Sequence, residues 1–190
     1  MAAEPRFTTP EDYLHIERKA ATKSEYLDGY VYAMAGASVN HNLLQMSVGA
    51  TLYPQLRRRG CWVFPSDMRV KIPASNSYLY PDLTIVCGSP QLEDDRSDTL
   101  LNPTVIIEIL SPSTAMHDRT DKFARYRRIP TLREYLLVAQ DAPQIEHFIR
   151  QQDDDQWLWS IAETREATIT LPSVGCTIAL ADIYADLTLD

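Results

Sequence analysis

The chain has 190 residues, of which 45% are hydrophobic, and a formal net charge of -8. That length makes one domain over residues 1–190 the default and gives room for a substantial core. The composition excludes a disordered chain, no apolar run is long enough to span a bilayer, and the acidic balance argues against a general cationic coat for nucleic acid while allowing a local basic groove.

The first residues lack a signal-peptide core, so the expected location is the cytoplasm. Residues 1 to about 24 read as a lead-in helix, and Thr8-Thr9-Pro10-Glu11-Asp12 is its start signal, with Thr at the cap, Pro at the first position and acids in the first turn. Glu25 to Met34 reads as a hairpin, because Asp28-Gly29 is a tight-turn signal between two apolar-aromatic runs. Ser38 to about Arg59 reads as a long helix with a stripe of Leu44, Val48, Leu52 and Leu56; Pro54 is expected to kink or shorten it, and Gly60 stops it. Cys61–Phe64 and Met68–Ile72 are strand-like, and a third strand follows Asp82.

Gln91 to Asp98 is a polar, exposed loop. Val105 to Leu110 is apolar on both faces except at Glu108, the pattern of a central strand covered on both sides. Asp118 to Arg128 reads as a helix ended by Ile129-Pro130. Glu134 to Val138 is another central strand. Ile145–Ile149, Trp157–Ile161 and Thr168–Leu171 read as an antiparallel tail, with a turn at Asp153-Asp154-Asp155, and Leu180–Tyr184 as a last helical turn. The order of elements implies an α/β sandwich with a mixed sheet.

Glu108 and Asp82 carry the chemistry. A buried ionised carboxylate needs a cation, a proton or hydrogen bonds. If their strands are neighbours, the two acids can converge on one hard divalent cation. Taken alone, Asp82 after a proline is a turn or strand-edge residue, and Glu108 is as well explained by a salt bridge. Lys122 and Tyr126 stand one turn apart on the following helix, in line with Asp118; the bland reading of Asp118 and Lys122 is a surface pair. His41 is either a packing histidine or a site residue. Glu25 is an ordinary strand-edge charge or an additional site acid. The four histidines lack ligand spacing, and Cys61, Cys87 and Cys176 form no CxxC pair, so they are expected as reduced, packed thiols. Arg57-Arg58-Arg59 and Arg125, Arg127 and Arg128 are candidate phosphate contacts or solvated helix ends.

Several pieces together carry a resemblance: Glu25-Tyr26-Leu27-Asp28-Gly29, Asn40-His41, Ser66-Asp67-Met68, Pro81-Asp82-Leu83, Glu108-Ile109-Leu110-Ser111-Pro112-Ser113-Thr114, Asp118 with Lys122 and Tyr126, and Glu134-Tyr135-Leu136-Leu137-Val138. The chain resembles the Uma-two family of endonucleases, within the PD-(D/E)xK nuclease superfamily, over nearly its whole length. The resemblance implies a restriction endonuclease-like fold: a mixed β-sheet flanked by helices, with an N-terminal helix-hairpin and a C-terminal antiparallel extension. It implies Asp82 and Glu108 as metal ligands for Mg²⁺, with Mn²⁺ as a substitute, and phosphodiester hydrolysis in nucleic acid, expected to be DNA. Leu110 stands where the superfamily lysine would be, so that role passes to Lys122. Together these give a catalytic set of Asp82, Glu108 and Lys122, with Glu25, His41 and Tyr126 as accessory residues. The alternative is a catalytically silent module that binds nucleic acid or protein. The apolar hairpin and tail strands suggest a homodimer.

Overall fold

The computed structural model describes residues 7–151 and 156–189. The expected turn at Asp153-Asp154-Asp155 lies outside them. In chain order the elements are α1 (Pro10–Glu17), β1 (Ser24–Leu27), β2 (Tyr30–Ala33), α2 (Val39–Arg57), β3 (Cys61–Pro65), β4 (Arg69–Ile72), a 3₁₀ turn, β5 (Ser77–Leu79), β6 (Leu83–Cys87), β7 (Thr99–Leu100) and β8 (Val105–Leu110). A helical segment follows, made of α3 (Ala115–His117), a π-turn at Asp118–Lys122 and α4 (Phe123–Tyr126). β9 (Glu134–Ala139), β10 (Ile145–Arg150), β11 (Trp157–Ala162), β12 (Thr168–Leu171), β13 (Cys176–Ala179) and α5 (Leu180–Ile183) complete the chain.

Two sheets carry the fold. The larger has the order β11-β10-β9-β8-β6-β3, and the smaller β2-β1-β5-β4-β7. β8 and β9 pair in parallel while β6 runs antiparallel to β8, so the larger sheet is mixed. One face of it packs on Leu44, Val48, Leu52 and Leu56 of α2 and on the β12-β13 hairpin with α5. The other face packs on the smaller sheet and α4 through Ile106, Leu110, Tyr126, Tyr135 and Leu137. α1 closes the outer side of the smaller sheet, where Tyr13, Tyr26 and Tyr78 cluster. The mixed β-sheet flanked by helices that the resemblance implies is the observed architecture.

Local chemistry explains the boundaries. The Thr9 hydroxyl oxygen accepts the Asp12 amide at the start of α1, and the Ser38 hydroxyl oxygen accepts the His41 amide at the start of α2. Asp28 (φ 48°) and Gly29 (φ 98°) form the β1-β2 turn, the positive-φ pair that a two-residue hairpin requires. Pro54 does not shorten α2, which runs to Arg57; Leu52 and Leu56 on either side of it are fully buried, and their packing outweighs the hydrogen bond the proline removes.

The expectation for the cysteines is corrected. Cys61 and Cys87 are disulfide-bonded, and only Cys176 is a buried free thiol. Their strands pair with Cys61 directly opposite Cys87, a register that composition and spacing do not reveal. The loop at Gln91–Asp98 is exposed as expected, apart from half-buried Glu93 and Asp98, which make ion pairs. Glu93 pairs with Lys71, and Asp98 pairs with Arg18 and with buried Arg69.

Candidate active site

Glu108 lies mid-sheet in β8, on the face turned to the second core, and is 3% exposed. Asp82 stands at the start of β6, where Leu83 pairs with Ile107. This register places the Asp82 amide 3.3 Å from Glu108 Oε2, to which it donates. The Ile109 amide donates in turn to Asp82 Oδ2 at 2.7 Å. The two strands therefore hold the two acids beside one another through their own backbone.

The helical segment after β8 supplies the cation. Lys122 Nζ lies 3.2 Å from Glu108 Oε1, 3.1 Å from Glu25 Oε1 and 3.4 Å from Asp118 Oδ1. The Tyr126 hydroxyl donates to the same Glu108 oxygen at 2.9 Å. Asp118, Lys122 and Tyr126 are all buried. In an ordinary helix, residues four apart drift about 40° around the axis at each step. The wider π-turn at Asp118–Lys122 offsets that drift and keeps the three side chains on one line.

The hairpin contributes Glu25, whose Oε1 also accepts the Tyr80 amide at 3.2 Å. α2 contributes His41, whose Nε2 is 3.2 Å from Asp82 Oδ2, and Gln45, which donates to the Asp82 carbonyl at 2.8 Å. His41 Nδ1 is a buried atom without a hydrogen-bond partner.

Burial pushes the Glu108 carboxyl well above the ordinary range; Lys122 opposes the shift, while Asp118, Asp82 and Glu25 add to it. Burial likewise raises Asp118, against the pull of Lys122. Burial disfavours the Lys122 ammonium, but Glu108, Glu25 and Asp118 outweigh it and hold its pKa well above the usual value. Desolvation works against a charged His41, yet its contact with Asp82 raises it on balance.

Among the described residues, no three His, Cys, Asp or Glu side chains form a ready cage for an ion. The donor set nevertheless fits a hard divalent cation. Three carboxylates, Glu25, Glu108 and Asp118, face one ammonium, and Asp82 stands beside Glu108; an excess of oxygen anions over cations needs further positive charge or protons.

All six residues expected from the sequence thus come together in space. Asp118 is the member that sequence reasoning missed. As a surface partner of Lys122 it would be exposed, and instead it is 2% exposed; the signal was its place in line with Lys122 and Tyr126.

Arg57–Arg59 lie at the far end of α2 from His41, about 25 Å along the axis. Arg125 bonds Asp28 and Ser77, and Arg128 bonds the Ala74 carbonyl.

Residues 10–181 match the model of the Uma2 (Uma-two) family, described as "Putative restriction endonuclease". Two uncharacterized proteins of Synechocystis sp. are similar to the chain. One is 39% identical over 158 residues, covering 83% of this chain and 89% of the relative. The other is 33% identical over 181 residues, covering 94% and 92%. The fold is similar to the crystal structure of a "putative nuclease belonging to DUF820" from Anabaena variabilis, with a TM-score of 0.73 at 17% identity over 94% of this chain and 98% of that one.

Proposed function

The chain belongs to the Uma2 family of restriction endonuclease-like proteins, and from that membership we propose that it is a divalent-cation-dependent endonuclease that hydrolyses phosphodiester bonds in DNA. The observation that carries the reading is the pairing of Asp82 with Glu108 on adjacent strands, with the Lys122 ammonium 3.2 Å from Glu108. Asp82 and Glu108 would hold Mg²⁺ or Mn²⁺, which when bound polarises a phosphodiester and lowers the pKa of a coordinated water.

The protein's own groups do the rest. The Ile109 amide orients Asp82, and the Asp82 amide and Tyr126 hydroxyl orient Glu108. Lys122 is the donor available to a phosphate oxygen as charge builds on it, a contact whose loss typically costs about a hundredfold or more in rate. His41 braces Asp82 from α2. A net charge of -8 makes affinity depend on this site rather than on a general basic surface. We also propose a homodimer, supported by the exposed apolar residues Tyr30, Val31 and Tyr32 on edge strand β2.

One observation favours the second reading, a catalytically silent binding module: Lys122 already sits among the acids as their counter-ion. The test is incubation of the purified protein with single-stranded, linear and supercoiled DNA in Mg²⁺ or Mn²⁺. Cleavage that stops with chelator, and in both Asp82→Asn and Glu108→Gln, supports the nuclease. Cation binding without cleavage of any substrate supports the module, and cleavage that survives both substitutions overturns the site.

A further inference from the structure

We propose that Asp118 is a positioning residue for Lys122, the acceptor that keeps the ammonium inside the site once a divalent cation has taken Glu108. The inference rests on the nuclease reading and gives a role to a carboxylate that the reading does not otherwise use.

The Lys122 ammonium has three N–H donors and three carboxylate neighbours: Glu25, Glu108 and Asp118. Of these, Glu108 is the one that a cation shared with Asp82 would also need. Two positive charges on one small carboxylate repel, so an ion held there would weaken the contact between Glu108 and the lysine. Glu108 is built to let go. Its Oε1 keeps the Tyr126 hydroxyl at 2.9 Å and its Oε2 keeps the Asp82 amide at 3.3 Å, so its orientation does not depend on Lys122.

The released ammonium has two acceptors left. Glu25 Oε1 is shared with the Tyr80 amide, which weakens it as a sole partner. Asp118 comes from the same π-turn as Lys122, and that turn is pinned to β9 by the Tyr135 hydroxyl, which donates to the Asp118 carbonyl at 3.0 Å. Asp118 therefore cannot drift with the lysine; it is a fixed anchor one turn away.

An acid is a poor choice here for packing alone. Asp118 is 2% exposed, and its charge is disfavoured by burial and by Asp82. The ammonium offsets that cost. Without Asp118, a cation at Glu108 would leave Lys122 with a single shared acceptor and free to turn from the substrate side.

The test uses the full chain with Ca²⁺ as the probe, because Ca²⁺ is diamagnetic and binds oxygen ligands. The side-chain ¹⁵N signal of Lys122 is followed in wild type, Asp118→Asn and Asp118→Glu, in chelator and in saturating Ca²⁺. The expected result is a protected signal in chelator for all three. Adding Ca²⁺ should leave it protected in wild type and Asp118→Glu, and lost to exchange in Asp118→Asn.

In DNA cleavage with Mg²⁺, kcat of Asp118→Asn should fall by about a hundredfold with KM nearly unchanged, and Asp118→Glu should recover part of it. A Lys122 signal that responds to Ca²⁺ identically in wild type and Asp118→Asn overturns the proposal, as does an unchanged kcat. If Asp118→Asn does not fold, Asp118→Ser takes its place: a Lys122 signal lost to exchange when Ca²⁺ is added supports the proposal, and one that responds to Ca²⁺ as in wild type overturns it. A wild type that does not bind Ca²⁺ overturns this proposal together with the cation site. A wild type that binds Ca²⁺ and cuts no DNA overturns the nuclease reading alone, and the Lys122 signal then decides the role of Asp118.

Discussion

The Asp82 amide donates to Glu108 Oε2 at 3.3 Å, so the backbone of one strand fixes the acid of its neighbour. The same closeness makes the site costly without a cation. Burial, with Asp118, Asp82 and Glu25 adding to it, raises the Glu108 pKa well above its ordinary value. A carboxyl raised in the folded state adds stability below its unfolded pKa, and that stability is lost as pH rises through the folded value. The cation-free wild type should therefore lose stability as pH is raised from about 4 towards neutrality. Glu108→Gln should flatten that loss and raise the neutral-pH stability. Thermal melts in chelator at several pH values check this; identical slopes for the two proteins would sink it.

Glu108 was legible because it alone interrupts a strand that is apolar on both faces. Asp82 and Lys122 were legible through the resemblance, and the helix starts through Thr9 and Ser38; the end of α1 at Glu17, short of the expected residue 24 or so, was not. What was not legible depends on tertiary register. Glu25 looks like any strand-edge acid until β1 pairs with β5 and turns it towards Lys122. β5 and β13 are three and four residues long, too short for a period to show. Asp118 and Lys122 at four-residue spacing look the same on a surface as in a core, and only the packing of the π-turn against Tyr135 distinguishes them.

The Cys61–Cys87 bond joins edge strand β3 to β6, and its closed loop spans a sequence separation of 26. A loop of that size is worth about 3 kcal/mol through the unfolded chain. Cys61→Ser with Cys87→Ser should lower stability by roughly that amount, and reductant should do the same to wild type but not to the double variant. Thiol titration of the unfolded, unreduced protein should count one free cysteine. A count of three would show the bond absent in solution.

Asp98 should supply a pH dependence of opposite sign. Its hydrogen bond from Arg18 depresses its pKa well below the carboxylate range; burial opposes the shift, and Arg69 and Thr99 add to it. A depressed carboxyl contributes stability above its unfolded pKa and loses it as pH falls through the folded value. Asp98→Asn should cost stability at pH 7 and cost progressively less as the solution is acidified below about pH 4. An equal deficit at pH 7 and pH 2 would mean that the residue acts through shape rather than charge.

Glu134 ties the C-terminal hairpin to the larger sheet. It is fully buried, pairs with His147 Nε2 at 2.6 Å and accepts the Ser173 amide at 2.7 Å. Glu134→Ala leaves buried His147 without its partner and releases the Ser173 amide at the surface, at a cost of about 2 kcal/mol. Hydrogen exchange should show the loss first at Ser173 and in the β12-β13 hairpin. Unaltered protection there would remove Glu134 from the list of tertiary anchors.

Lys122 separates the reading of the site as a nuclease from its reading as a closed ion cluster. Its ammonium faces Glu25, Glu108 and Asp118, and none of the four side chains is more than a tenth exposed. Removing one partner of a buried ionic group is strongly destabilising, because the partners left behind are uncompensated. Lys122→Met should therefore lower cation-free stability by about 3 kcal/mol, and a divalent cation should restore more of it than it adds to wild type, since the three acids then have no other counter-charge. Cation affinity should rise or hold, because the ammonium no longer competes for Glu108. Cleavage should still fall by about a hundredfold or more, the scale of one lost contact to transition-state charge. These two effects run in opposite directions, and calorimetry of Mn²⁺ binding beside a cleavage assay measures both. Tighter binding with full cleavage would leave Lys122 as a counter-ion only, while weaker binding would mean that the lysine holds the acids in place for the cation rather than competing with it.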